Sequence, residues 1–343
     1  MMRLPLPWLL ALTTAALALL LLGSLATGPM ALTLSESLRA LYAGQGSGIA
    51  AHKLLIVQEI RLPRTLLCIA VGGILGLCGA VMQGLFRNPL ADPGIIGVSG
   101  GAALGAALAI VLLAPLGLSL QQLLGVGLLP LLAFLGGALT TTLVYLLGTR
   151  EGGTSVTVML LAGVAITALS GAVIGLLSYL ADDQMLRDLS LWQMGTLAAG
   201  KPADMALALL TLAALLWLFM RDANPLNALL LGEGEACHLG IDVQALKRRL
   251  ILLTAAGVGV AVAVAGMIGF VGLVVPHLVR LLAGPNHVRL LPLSALMGAA
   301  LLLGADMLAR TLLAPAELPV GIITALLGAP FFIWLLIKSR RAL

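Results

Sequence analysis

Four histidines, three cysteines and one acid–base pair inside an apolar run are the residues of this chain with reactive potential. His52, His238, His277 and His287 are scattered. His277 and His287 could meet near one membrane surface, either as iron ligands or as ordinary interfacial histidines. Cys68, Cys78 and Cys237 form no C-x-x-C spacing, and two of them fall in apolar runs, where cysteine behaves as a small hydrophobe. No disulfide framework or metal site is expected. H-E-x-x-H is missing, so no zincin is implied. The one Gly-Lys pair, Gly200-Lys201, is followed by Pro202 rather than Ser or Thr. ATP binding through a P-loop is therefore not expected. Asp306 lies four residues before Arg310, one helical turn away, where the two can pair. A proton relay needs more intramembrane acids than this. The chain reads as a membrane pathway that takes its energy from elsewhere rather than as an enzyme, and no catalytic residue or cofactor of its own is expected.

Those residues must be positioned by helices in lipid. Hydrophobic residues make up 61% of the 343 and charged residues 10%, against about 25% charged in soluble proteins. Mean hydropathy is +1.13. Aromatic residues are too few, at 4%, for a base-stacking nucleic-acid surface, and the net charge of +5 suits membrane orientation. A span needs about 20 apolar residues, and ten runs qualify: 8–27, 62–84, 94–114, 124–148, 155–180, 203–220, 248–267, 268–283, 290–309 and 320–337. A turn near Gly266–Gly269 separates the seventh from the eighth. The first run exceeds the roughly 7–15 residues of a signal-peptide core and reads as a retained helix. With both termini cytoplasmic, twelve Lys and Arg fall inside and seven outside: Arg39, Lys53, Arg61, Arg64, Arg187, Lys201 and Arg310. The expected fold is an all-α integral membrane protein, a single transmembrane domain over residues 1–343.

Two small-residue stripes, Gly72/Gly76/Ala80/Gly84 and Gly97/Gly101/Gly105, recur every four residues and suit close helix packing. They flank "RNPLADPGIIGVSGG" (87–101) and could bring its ends together. Within that loop Pro89 and Pro93 stop helix propagation, and Asp92 can cap a helix opened by Pro93. The segment 221–249 reads as a helix–Gly–helix unit on the cytoplasmic face. Asn224 caps its start with Pro225, a short helix covers Glu233–Leu239, Gly240 turns left-handed, and Asp242 caps the next helix. Contact with a soluble partner is its natural role.

Longer blocks carry a resemblance: "RLPR" (61–64), "GAVMQGLFRNPLADPGIIGVSGGA" (79–102), "GMIGFVGLVVPHLVRLLAGPNH" (266–287), "LLPLSALMGAALLLGADMLART" (290–311) and "ELPVGIITALLGAPFFIWLL" (317–336). With "LLAGVAI", "LWQMGTL" and "LGIDV" between them, the chain resembles the FecCD-type permease subunits of type II ABC importers for haem, iron–siderophores and cobalamin. The resemblance implies ten spans and a homodimer with its pathway on the two-fold axis, in the bacterial inner membrane. It also implies two cytoplasmic ATPase subunits that bind ATP and Mg, and a periplasmic binding protein. By that resemblance Arg61, Arg64 and Arg310 dock the binding protein through its glutamates. Coupling helices at about 224–247 seat the ATPase through Glu233, Glu235, Ala236 and Gly240. Asn88 and Leu90, with Thr154 and Ser155, form the cytoplasmic gate.

An apolar pathway without fixed ligands suits a preformed chelate. The local wording of "LWQMGTLAAG" and "GEGEACHLGIDVQALKRRL" resembles the haem branch, which ranks haem first, ferric siderophore second and cobalamin third. A secondary transporter is the different-class alternative, although no inverted repeat is evident. A structural scaffold that moves no substrate is the remaining one.

Overall fold

A computed structural model describes residues 5–30, 32–42, 49–114, 127–150, 153–198 and 200–340. Arg3 and Arg341, counted with the inner cations, lie outside these residues, as do residues 124–126 of the fourth expected run.

Helices run in chain order as α1 Leu6–Ala26, α2 Leu34–Tyr42, α3 Ala51–Leu85, α4 Val98–Leu113, α5 Leu128–Gly148, α6 Val156–Leu180, α7 Asp183–Gln193, α8 Pro202–Arg221, α9 Ala223–Leu229, α10 Glu233–His238, α11 Val243–Ala265, α12 Val271–Ala283, α13 His287–Thr311 and α14 Val320–Arg340. Seven are long and apolar enough to cross a bilayer, and α4, α12 and the Val320–Leu335 part of α14 are shorter apolar helices. Each of the ten expected runs holds a helix among the described residues. One end of the bundle carries α9, α10, the 86–97 loop and a small hairpin, and is called the lower end; Arg61, Arg64 and Arg310 lie at the upper end.

The core forms around α3, which is almost wholly buried against α13, α8, α12 and α11. Its glycines make this possible. A Cβ at Gly72 would overlap the carbonyl oxygen of Gly298, one at Gly76 that of Ser294, and one at Gly79 that of Gly272. Without a hydrophobic force between helices in lipid, such close backbone approach supplies the packing. The second stripe acts differently: Gly101 and Gly105 abut the backbone of α5 at Gly136 and Leu132. The stripes therefore pack on α13 and α5, not on each other, and do not draw the ends of the 87–101 loop together.

Three boundaries differ from expectation. The second span begins at Ala51, not 62, because a π-helical turn at Ile56–Arg61 opens the hydrogen-bond ladder just before Pro63. A proline ring there would otherwise clash with a carbonyl one turn back. The third span starts at Val98. Asp92 does cap with Pro93 behind it, its Oδ1 accepting from Gly94 N–H at 2.7 Å, but the cap opens only the 3₁₀ turn Pro93–Ile96 before the left-handed Gly97. Helix α9 begins at Ala223, ahead of Asn224, with Asp222 at the cap position but making no cap bond. The Asp222 carboxylate is taken by Arg249, whose Nε donates to Oδ2 at 2.8 Å. The break between α11 and α12 falls where glycine spacing puts it, with φ +69° at Gly266, and also uses a left-handed Phe270.

The stretch 195–201, GTLAAGK, does have the glycine spacing of a P-loop, with Gly195 five residues before Gly200. It joins α7 to α8 rather than a strand to a helix, and Pro202 replaces the hydroxyl residue. Phosphate cradling needs both features.

Candidate functional site

At the upper end the three expected docking arginines come together, but they are buried. Arg61, Arg64 and Arg310 are 4%, 6% and 2% exposed. Arg64 makes a fork onto Asp306 Oδ1, from Nε at 3.0 Å and Nη2 at 2.8 Å. Its Nη1 donates to Glu317 at 2.7 Å. Arg310 Nε lies 3.0 Å from the other Asp306 oxygen, and its Nη2 donates to Ser24 Oγ at 2.7 Å. Asp306, fully buried, thus joins α3 to its own helix α13 through two guanidinium groups. Arg61 donates to the carbonyls of Leu25, Ala26 and Met30, tying the end of α1 to α3. Of the three, Arg64 alone pairs with a partly exposed acid, since the Glu317 side chain is 33% exposed. The geometry offers an incoming carboxylate Arg64 by displacement of Glu317, and offers it Arg61 and Arg310 only after rearrangement.

At the lower end, α9 and α10 form a compact unit turned by Gly232 at φ +127°. Ala236 is fully buried beneath it, whereas Glu235, Cys237 and Gly240 face outward. Gly240 is left-handed at φ +82°, as its position after α10 requires. Glu233 is not free: its Oε2 accepts from Lys247 Nζ at 2.7 Å. Asp242 caps α11 through Ala245 N–H at 2.9 Å.

The expected gate residues lie on two different local folds. Asn88 is exposed, and its Oδ1 accepts from Leu90 N–H at 2.9 Å, holding a tight turn after the left-handed Arg87. Leu90 is half-buried. Thr154 sits in a two-stranded hairpin, Thr149–Arg150 against Gly153–Thr154. Its hydroxyl turns inward to Thr149 Oγ1 at 3.1 Å, and Gln244 Oε1 accepts its N–H at 3.0 Å. Ser155 is exposed, and its Oγ caps α6. The 3₁₀ turn after the Asn88 loop packs on α6, the helix that follows the hairpin.

Four residues outside the expected set organise this end. Lys247 and Gln244 hold the hairpin. Asn227 Oδ1 accepts both N–H and Nδ1 of the fully buried His287, at 2.8 and 2.9 Å, fastening α9 to the start of α13. The His287 ring faces Gly84, where a Cβ would overlap Nε2. His277 packs edge-on to Phe331 with centroids 6.3 Å apart, a separate environment from that of His287. Among the described residues, no three His, Cys, Asp or Glu are grouped to hold a metal. Cys68 and Cys78 are buried in α3. Sequence spacing could not reveal the partners of Lys247, because Thr154 lies 93 positions away.

Comparison with known proteins gives one consistent result. The profile of the FecCD transport family matches residues 16–338. The hemin transport system permease protein HmuU of Yersinia pestis is 46% identical over 328 residues, covering 95% of this chain and 94% of that one. The vitamin B12 import system permease protein BtuC of Vibrio cholerae is 44% identical over 285 residues, covering 83% of each. A solved inward-facing metal-chelate type ABC transporter superposes with a TM-score of 0.83 at 34% identity, over 97% of this chain and 99% of that one. PsaBC from Streptococcus pneumoniae shares the fold, with a TM-score of 0.56 at 22% identity.

Proposed function

The chain belongs to the FecCD transport family, and from that membership we propose that it is the permease subunit of an ATP-driven importer carrying haem, or a similar iron chelate, from a periplasmic binding protein to the cytoplasm. The observation that carries haem is the 46% identity, at near-full mutual coverage, to a hemin permease. Cobalamin is the second reading, favoured by several cobalamin permeases at 42–44% identity.

The working assembly is two copies of this chain, two cytoplasmic ATPase subunits that hold ATP and Mg, and one binding protein. Both termini and the lower end face the cytoplasm. A second copy is supported by α6, which is largely exposed and bears Gly171 and Gly175 with nothing within 4 Å of either Cβ position. The binding protein docks at the upper end through the arginine cluster, with Arg64 as its accessible member. The ATPase seats on α9–α10 through Glu235, Ala236 and Gly240, with Glu233 tied into the permease. Asn88, Leu90, Thr154 and Ser155 close the pathway below.

The test is reconstitution in proteoliposomes with the cognate ATPase and binding protein, loaded in turn with haem, a ferric siderophore and cobalamin. Haem is expected to stimulate ATP hydrolysis and uptake most. Stimulation by cobalamin alone overturns haem as cargo, and vanadate-insensitive uptake without the ATPase overturns the importer.

A further inference from the structure

We infer that Lys247 is a positioning residue that carries the seating of the ATPase to the pathway gate. The inference rests on the coupling and gate roles proposed above. Lys247 lies one turn into α11, 2% exposed. Its ammonium group bridges two units distant in sequence. One partner is Glu233 of α10, at 2.7 Å; the other is the backbone carbonyl of Thr154 in the hairpin, at 3.2 Å.

The chemistry makes this bridge responsive. A buried ammonium needs its counter-charge, because removing one partner of such a pair leaves an uncompensated charge out of water. Glu233 is that counter-charge, and its side chain is 41% exposed on the surface where the ATPase is proposed to sit. A shift of α10 therefore alters the partners of Lys247. The remaining partner on the other side is Thr154, which has little freedom of its own. Its N–H is held by Gln244 and its hydroxyl by Thr149. Gln244 and Lys247 lie on the first turns of α11, so hairpin and helix respond together. Room for that response exists beside them: a cavity of about 400 Å³ is lined by Tyr145, Thr149, Arg150, Thr154, Gln244 and Arg248. Small shifts at such a joint are amplified because packed interfaces are bistable rather than continuously deformable.

The test uses the full reconstituted importer. Lys247→Met removes the charge and donors, and Lys247→Arg keeps them. Three quantities are read: capture of the ATPase, stimulated ATP hydrolysis, and substrate delivered per ATP hydrolysed. Lys247→Met is expected to capture the ATPase within about twofold of wild type and to hydrolyse ATP, while delivering at least fivefold less substrate per ATP. Lys247→Arg restores more than half of that delivery. Glu233→Gln lowers delivery per ATP in the same direction, and Glu233→Gln/Lys247→Met is no worse than Lys247→Met alone. Delivery per ATP within twofold of wild type in Lys247→Met overturns the inference, as does equal loss in the Arg and Met variants. If Lys247→Met does not fold, Glu233→Gln, altered on the partly exposed side, decides alone, and unchanged delivery overturns the inference. Failure of the coupling reading shows separately, as undiminished ATPase capture by Glu235→Lys.

Discussion

Asp306 is the residue on which the upper end turns. The pairing with Arg310 is legible in sequence because four residues make one helical turn. The pairing with Arg64, 242 positions away, is not. That second bond converts an expected surface cation into an interior one. Breaking a buried pair by removing one partner costs about 3–5 kcal/mol. Asp306→Asn should therefore lower the thermal midpoint of the detergent-solubilised protein well beyond Glu317→Gln, whose carboxylate is one-third exposed; scanning fluorimetry on both variants compares them. Docking is expected to follow Arg64. Arg64→Glu should weaken capture of the binding protein and flatten its salt dependence, since a docking charge acts through complementarity and steering. Glu317→Ala should strengthen capture by freeing Nη1. Capture that ignores both changes would remove Arg64 from the docking surface. The same logic separates the four coupling residues named by resemblance: Glu233 has its charge satisfied inside the chain, while Glu235 remains exposed for a partner.

At the scale of elements, apolar length and glycine spacing placed a helix in each of the ten expected runs, because both are local properties. What spacing could not show was where a helix passes through a proline, as at Pro63, where the π-turn is a cooperative adjustment of the ladder. Nor could it show which neighbour a glycine stripe meets. Gly79 and Gly84 illustrate the outcome, one against the backbone of α12 and the other against the His287 ring. Adding a methyl group where no space exists typically costs about 1–3 kcal/mol. Gly79→Ala meets backbone, which cannot yield, and should destabilise more than Gly84→Ala, which meets a side chain. Urea- or heat-induced unfolding of the two variants in one detergent measures the difference. The strand pair Thr149–Arg150 and Gly153–Thr154 is too short to register as alternating pattern, and its hydrogen bonds to Gln244 and Lys247 come from α11, far along the chain.

For the whole molecule, membrane class and the placing of the apolar helices were readable, since composition and run length report them directly. The hydrogen-bonded joints between those ends and the core were not, because each brings together segments far apart in the chain. Assembly should depend on the open face of α6. Gly171→Leu/Gly175→Leu is expected to shift the purified chain from dimer to monomer in light scattering, and an unchanged mass would assign the interface elsewhere. A different consequence follows from the burial of Cys68 and Cys78 beside the exposure of Cys237. The native sequence carries one addressable thiol, and it stands on α10, between Ala236 and His238. A maleimide dye should therefore label the wild-type protein at a single position without any engineered cysteine. Its quenching or protection on adding an ATPase subunit would report contact at the proposed seat, using a reporter the protein already contains.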